Sequence, residues 1–217
     1  MELEKKKIVF LGDSITEGTG VQDPANIYWN ILSRETGAQC FGYGIGGTRI
    51  GVQREPSWNP QFDRHFASRI DDMIPNADIV VVFGGTNDFG HGDAAFGTMN
   101  DRTEETFCGA MHCLLQKLIA RYPLAQIVVM TPLHRLVEHY VYNELGVRAV
   151  ADLEEYVNAI IQISAYYGIP VLDLYRVSGL QPTVPALHAQ YMADGVHPKD
   201  AGHERIAQKL KGFLTTL

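Results

Sequence analysis

The chain has 217 residues, 46% of them hydrophobic and 20% charged, which is enough apolar material for one full core and too little polarity for disorder. A formal net charge of −7 argues against nucleic acid as a partner, because phosphate contact needs a basic face. The one basic cluster, Lys5 to Lys7, sits beside Glu2 and Glu4 and reads as a solvated tip. The apolar run after it is too short for a secretory signal, and no stretch approaches a membrane span. Cys40, Cys108 and Cys113 are an odd number without metal-ligand spacing. Free thiols, a cytoplasmic location and no membrane partner are the expectation.

The first apolar run, residues 7–11, predicts a buried strand and ends in Gly12-Asp13-Ser14-Ile15-Thr16-Glu17-Gly18. A serine there stands at the carboxyl edge of a sheet, before a helix start whose partial positive charge favours a developing alkoxide. Ser14 or Asp13 also fits a plain N-cap. A helix follows at 27–36 and a strand at 38–43, leading into Gly44-Ile45-Gly46-Gly47-Thr48. Gly42, Gly44 and Gly47 match G-x-G-x-x-G, yet the next strand begins only at Ala77, too late for a dinucleotide-binding βαβ unit. The other reading is a loop that exposes backbone N–H groups to an oxyanion.

A helix is predicted at 62–73 and a strand at 77–83, ending in Gly85-Thr86-Asn87-Asp88. Asn87 can offer a side-chain N–H to an anionic oxygen, or close an ordinary turn. Helix 104–121, strand 126–131, helix 147–167 and strand 169–172 come next. Gly168 and Pro170 punctuate the last helix-to-strand passage. A long loop then reaches Tyr191 and Asp194-Gly195-Val196-His197-Pro198, before a final helix at 201–213 whose first turn Pro198 suits. Asp and His three apart can fold so that the carboxylate fixes the imidazole tautomer and frees Nε2 to take a proton from a serine.

The alternation of strand and helix predicts a single α/β domain over 1–217: a three-layer αβα sandwich around a parallel sheet of about five strands. Every chemistry-bearing motif falls after a strand, where such sheets bind ligands. The arrangement resembles the SGNH hydrolase family, the GDSL-type esterases and lipases. Gly12-Asp13-Ser14 resembles its first block, Gly44-Ile45-Gly46-Gly47 the second, Gly85-Thr86-Asn87-Asp88 the third, and Asp194 to Pro198 the fifth. Gly42 stands where the family often has Asn. The resemblance implies a flavodoxin-like fold, a Ser14–His197–Asp194 triad, and an oxyanion hole from Ser14, Gly47 and Asn87. Asp13 and Asp88 are expected to brace their loops by accepting backbone N–H groups.

The pocket walls are expected from segments 49–63, 89–102, 132–146 and 175–191, which carry Trp58, Phe89, His91, Phe96, His134, Arg135, Tyr175 and His188. Trp58, Phe89, His134 and Tyr191 are the substrate-binding candidates. Aromatic and polar groups together suit an acylated sugar or short acyl ester better than a long lipid chain. Lysophospholipid or thioester cleavage by the same mechanism is the alternative. A metal-dependent phosphoesterase and a nucleotide-binding domain are rivals of another class. The dispersed histidines lack ligand spacing, and the chemistry needs no metal or cofactor.

Overall fold

The computed structural model describes residues 1–144, 146 and 148–217. In chain order its elements are β1 (Lys7–Gly12), α1 (Ser14–Glu17), α2 (Tyr28–Thr36), β2 (Gln39–Gly44), β3 (Ile79–Phe83), α3 (Thr86–His91), α4 (Phe107–Arg121), β4 (Gln126–Met130), α5 (Leu153–Tyr166), β5 (Val171–Leu172), α6 (Leu174–Val177), α7 (Pro185–Tyr191) and α8 (Asp200–Thr216). The strands form a parallel five-stranded sheet in the order β2-β1-β3-β4-β5.

The three inner strands are apolar at every turn because both faces are covered. Val9, Leu11, Val80, Val82, Ile127 and Val129 face one core, shared with α4 and α5. Ile8, Phe10, Ile79, Val81, Phe83, Val128 and Met130 face the other, shared with α2 and α8. The chain leaves β1 for β2 on one side and returns to β3 on the other. That reversal opens a crevice at the carboxyl ends of β1 and β3, the place where doubly wound sheets bind ligands. Gly12 pairs with Phe83 in the register, so the loops carrying Ser14 and Asn87 leave the sheet side by side.

Several expected boundaries shift for local reasons. The segment expected as a helix over 62–73 is instead two 3₁₀ pieces, Pro60–Asp63 and Phe66–Asp72. The Phe66 N–H donates to Arg49 O at 2.9 Å, so it cannot continue a ladder back to Phe62. The helix expected from 104 starts at Phe107, where Thr106 Oγ1 accepts the Gly109 N–H. The helix expected from 147 starts at Leu153, behind an Asp152–Glu155 capping box. Its expected first residue, Val147, lies outside the described residues. β5 is shorter than expected, with Pro170 before it accepting through its carbonyl only. Pro198 is not in the first turn of α8, which begins two residues later; it pairs with Met192 in an isolated bridge. All three cysteines are free thiols. Among the described residues no helix is long and apolar enough to cross a membrane.

Candidate active site

Ser14 is the first residue of α1 and Asp13 is its N-cap, accepting the Ile15 N–H at 3.0 Å. The turn delivers Ser14 Oγ to the sheet rim with only 7% of the residue exposed. The short helix closes on Gly18, whose φ of 104° suits glycine. From 183 positions away in sequence, His197 Nε2 lies 3.0 Å from Ser14 Oγ.

The loop that brings His197 is tightly tied. Ala193 N–H donates to His197 O, Lys199 N–H to Tyr191 O, and Leu136 N–H to Gly195 O. Asp194 Oδ1 accepts the N–H groups of Val196 and His197, each at 2.7 Å. Its Oδ2 stands 2.8 Å from His197 Nδ1. Burial alone raises the Asp194 carboxyl, but the bonds from His197 and Val196 outweigh it and hold the group below the usual carboxylate range. An ionised Asp194 can only accept, so Nδ1 carries the ring proton. Nε2 is thereby left as the acceptor for the serine hydroxyl.

Three candidate donors, on Ser14, Gly47 and Asn87, line one cleft. Asn87, the second residue of α3, donates one Nδ2–H to Thr48 O at 2.9 Å, which fixes the amide and leaves its second N–H without an acceptor among the described residues. The backbone N–H groups of Ser14 and Gly47 have no acceptor among the described residues. Gly46 N–H is engaged, donating to Glu17 Oε2 at 3.0 Å, so of the two glycines Gly47 keeps the free donor. Gly47 has φ of 74°, and a Cβ there would fall into the Phe62 ring.

Two buried carboxyls and a buried arginine brace these loops. Asp88 accepts from Ile50 N–H and Gly51 N–H, at 3.0 and 2.7 Å. Burial pushes Asp13 and Asp88 up to about 6 in spite of those bonds. Arg69, 3% exposed, donates to Tyr43 O, Gly12 O and Thr48 Oγ1, tying the ends of β1 and β2 to the glycine loop. Sequence reading missed Arg69, because nothing near it in the chain signals a role at the sheet rim.

A cleft of about 510 Å³ opens over Ser14, Asn87 and His197. Trp58 lines it, 78% exposed and edge-on to Phe62 at 5.2 Å. The other three substrate-binding candidates lie off its walls. Phe89 is buried and stacks on Tyr140 at 5.0 Å, because it points some 200° around α3 from Asn87. His134 bonds Glu138 Oε1 through Nδ1 at 2.6 Å and lies over Tyr175. Tyr191 packs under Arg205, which donates to its hydroxyl. His188 bonds the Asp194 carbonyl at 3.1 Å, so it steadies the loop that carries His197 from outside the cleft.

The remaining wall mixes polar and apolar groups: His91, Arg135, Glu144 and Ser57 line it with Phe62 and Val196. Glu144 and Phe62 were not singled out from sequence. His91 and Arg135, expected on the walls from sequence, do line it; His91 stands four residues after Asn87 and therefore on the same helix face. Among the described residues, no group of three or more His, Cys, Asp or Glu side chains is placed to hold a metal ion.

No curated relative matches the chain. A protein from Lactobacillus plantarum of known structure is 33% identical, with 98% of each chain covered and a TM-score of 0.81. An aryl esterase of M. smegmatis shares 18% identity over 98% of this chain and 99% of its own, with a TM-score of 0.69. An acetyl xylan esterase shares 21% over 96% and 99%, with a TM-score of 0.63. At those lower identities the likeness speaks for the fold. The GDSL-like lipase/acylhydrolase family matches over residues 10–205. By that match and that fold, the chain belongs to the GDSL-like lipase/acylhydrolase family and is an ester-hydrolysing enzyme.

Proposed function

We propose that this enzyme is a serine esterase for short-chain acyl esters, carbohydrate O-acetyl esters among them, acting through an acyl-enzyme on Ser14. The observation that carries the reading is the unbroken relay Ser14 Oγ–His197 Nε2 (3.0 Å) and His197 Nδ1–Asp194 Oδ2 (2.8 Å). In the first step His197 Nε2 takes the serine proton as Oγ bonds to the ester carbonyl carbon. The carbonyl oxygen becomes an oxyanion within reach of the Ser14 and Gly47 N–H groups and the Asn87 amide. The carbon–alkoxide bond then breaks and His197 returns its proton to the leaving alcohol. Water repeats the sequence on the acyl-enzyme, releasing the acid and restoring the serine hydroxyl.

The donors are fixed before substrate arrives, so little reorganisation is left for the transition state. The cleft supports a short acyl group, because its walls include the Arg135–Glu144 ion pair and no long apolar channel is seen among the described residues. The test is hydrolysis of 4-nitrophenyl esters of rising acyl length. A maximum kcat/KM at acetate or propionate is expected. A maximum at eight carbons or more contradicts the short-chain reading and turns it towards lipid esters.

A further inference from the structure

We propose that His91 and Glu144 form a donor–acceptor pair that binds a free hydroxyl group of the substrate beside the scissile ester. The inference rests on the esterase reading and names the feature that the site selects. Both residues line the cleft together with Ser14 and Asn87.

His91 Nδ1 lies 2.7 Å from Arg49 Nη1. A guanidinium has donors only, so Nδ1 accepts and the ring proton sits on Nε2. That Nε2 has no partner among the described residues. Arg49 cannot swing away: it is 1% exposed and also donates to Ser57 Oγ, Phe62 O and Asp63 Oδ1. Burial first, then the Arg49 charge, pushes His91 down to about 4, so the ring is neutral at physiological pH.

Opposite in chemistry stands Glu144. Its Oε1 accepts from Arg135 and from Tyr140 O–H, while Oε2 has no partner among the described residues. Arg135 is anchored on α3 by a bond to Thr86 O at 2.8 Å. The pair fits there because Gly90 lacks a Cβ, which would lie 2.6 Å from Arg135 Nη1.

The charges on this wall cancel: Arg135 against Glu144, Arg49 against Asp63, and a neutral His91. A substrate carboxylate meets the Glu144 charge, and an ammonium meets two guanidinium groups. A neutral hydroxyl both accepts from Nε2–H and donates to Oε2, and so matches the pair without bringing a charge. The exposed Trp58 ring, in the same cleft and linked to His91 through Phe62, offers the flat apolar face that polyol C–H groups cover.

The experiment compares glycerol monoacetate with propyl acetate, which differ only in hydroxyl groups, using wild type, His91→Phe and Glu144→Gln. His91→Phe removes the donor and keeps a ring against Phe62. Glu144→Gln keeps an oxygen for Arg135 and turns the free acceptor into a donor. The readout is the ratio of the two kcat/KM values, which does not depend on the fraction of enzyme that is folded. Wild type is expected to prefer the glycerol ester, and each variant to cut that ratio by about tenfold. A wild type without preference, or a ratio unchanged in both variants, overturns the pair while the esterase reading stands. Failure of wild type to hydrolyse either ester sinks both.

Discussion

Replacing Asn87 with alanine separates catalytic from structural contributions at this site. The amide makes one neutral hydrogen bond, to Thr48 O at 2.9 Å, and the residue is 9% exposed. Losing that bond and leaving the Thr48 carbonyl unpaired costs about 1–2 kcal/mol of stability. For a chain of this size that is a fall in Tm of about 2–8 °C. The second N–H has no acceptor among the described residues, and in the proposed mechanism its role arises only when negative charge develops on the substrate oxygen. One such donor is worth about 3 kcal/mol in the transition state, or 10²–10³ in kcat. KM should change little, because the ground-state carbonyl gains far less from the same donor. The assay is steady-state hydrolysis of 4-nitrophenyl acetate beside thermal unfolding of both proteins. A folded variant that keeps kcat within about fivefold of wild type refutes the assignment of Asn87 to the oxyanion hole.

Gly47→Ala combines left-handed strain, about 1–2 kcal/mol for a residue with a Cβ, with a clash against the Phe62 ring. It should lower kcat by at least about tenfold as the loop shifts its N–H, and a variant with wild-type kcat contradicts that donor. Asp194→Asn should reduce kcat by on the order of 10²–10⁴, since the amide no longer fixes the imidazole tautomer; unchanged turnover points to another orienting group. Asp13 has a folded-state pKa of about 6 against 3.8 for the free group. A raised value favours the protonated form in the fold, so its stabilising contribution is complete below about pH 4 and lost as pH rises through 6. Asp13→Asn keeps the cap on Ile15 and removes the charge. It should therefore gain stability relative to wild type at pH 7.5 more than at pH 4.5, by at most about 3 kcal/mol, and the opposite trend contradicts a strained carboxylate.

The fold was legible because three strands are apolar on both faces, and only a sheet covered by helices on both sides satisfies such runs. The site was legible where chemistry sits next to a strand end: Ser14 after β1, Gly47 after β2 and Asn87 after β3. The spacing of Asp194 and His197 allows a carboxylate to fold onto Nδ1 but equally an ordinary turn, and the resemblance to the family's fifth block singled out the pair. Elsewhere side-chain direction decided, and it is not written in a loop sequence. Phe89 was read as a wall residue, yet the α3 turn that aims Asn87 and His91 at the cleft aims Phe89 at the core. Tyr191 and His134 found partners in Arg205 and Glu138, which satisfy their polar atoms away from the cleft. Arg69 acts through contacts distant in the chain, so no local pattern announced it. Glu144 bonds Arg135 and Tyr140, nine and four residues back, in a loop whose path no periodic pattern sets. The 62–73 segment has helical apolar spacing, but the Phe66–Arg49 bond holds it in 3₁₀ turns.

The most direct measurement is the site and stoichiometry of labelling by a fluorophosphonate, read by intact-mass and peptide mass spectrometry. Its phosphorus should bond once per chain, on Ser14 Oγ, with loss of esterase activity in step. His197→Ala should slow the labelling by orders of magnitude at neutral pH. Stoichiometric labelling on any other residue, or full inhibition of Ser14→Ala after its ester hydrolysis has persisted at the wild-type rate, contradicts the account at its root.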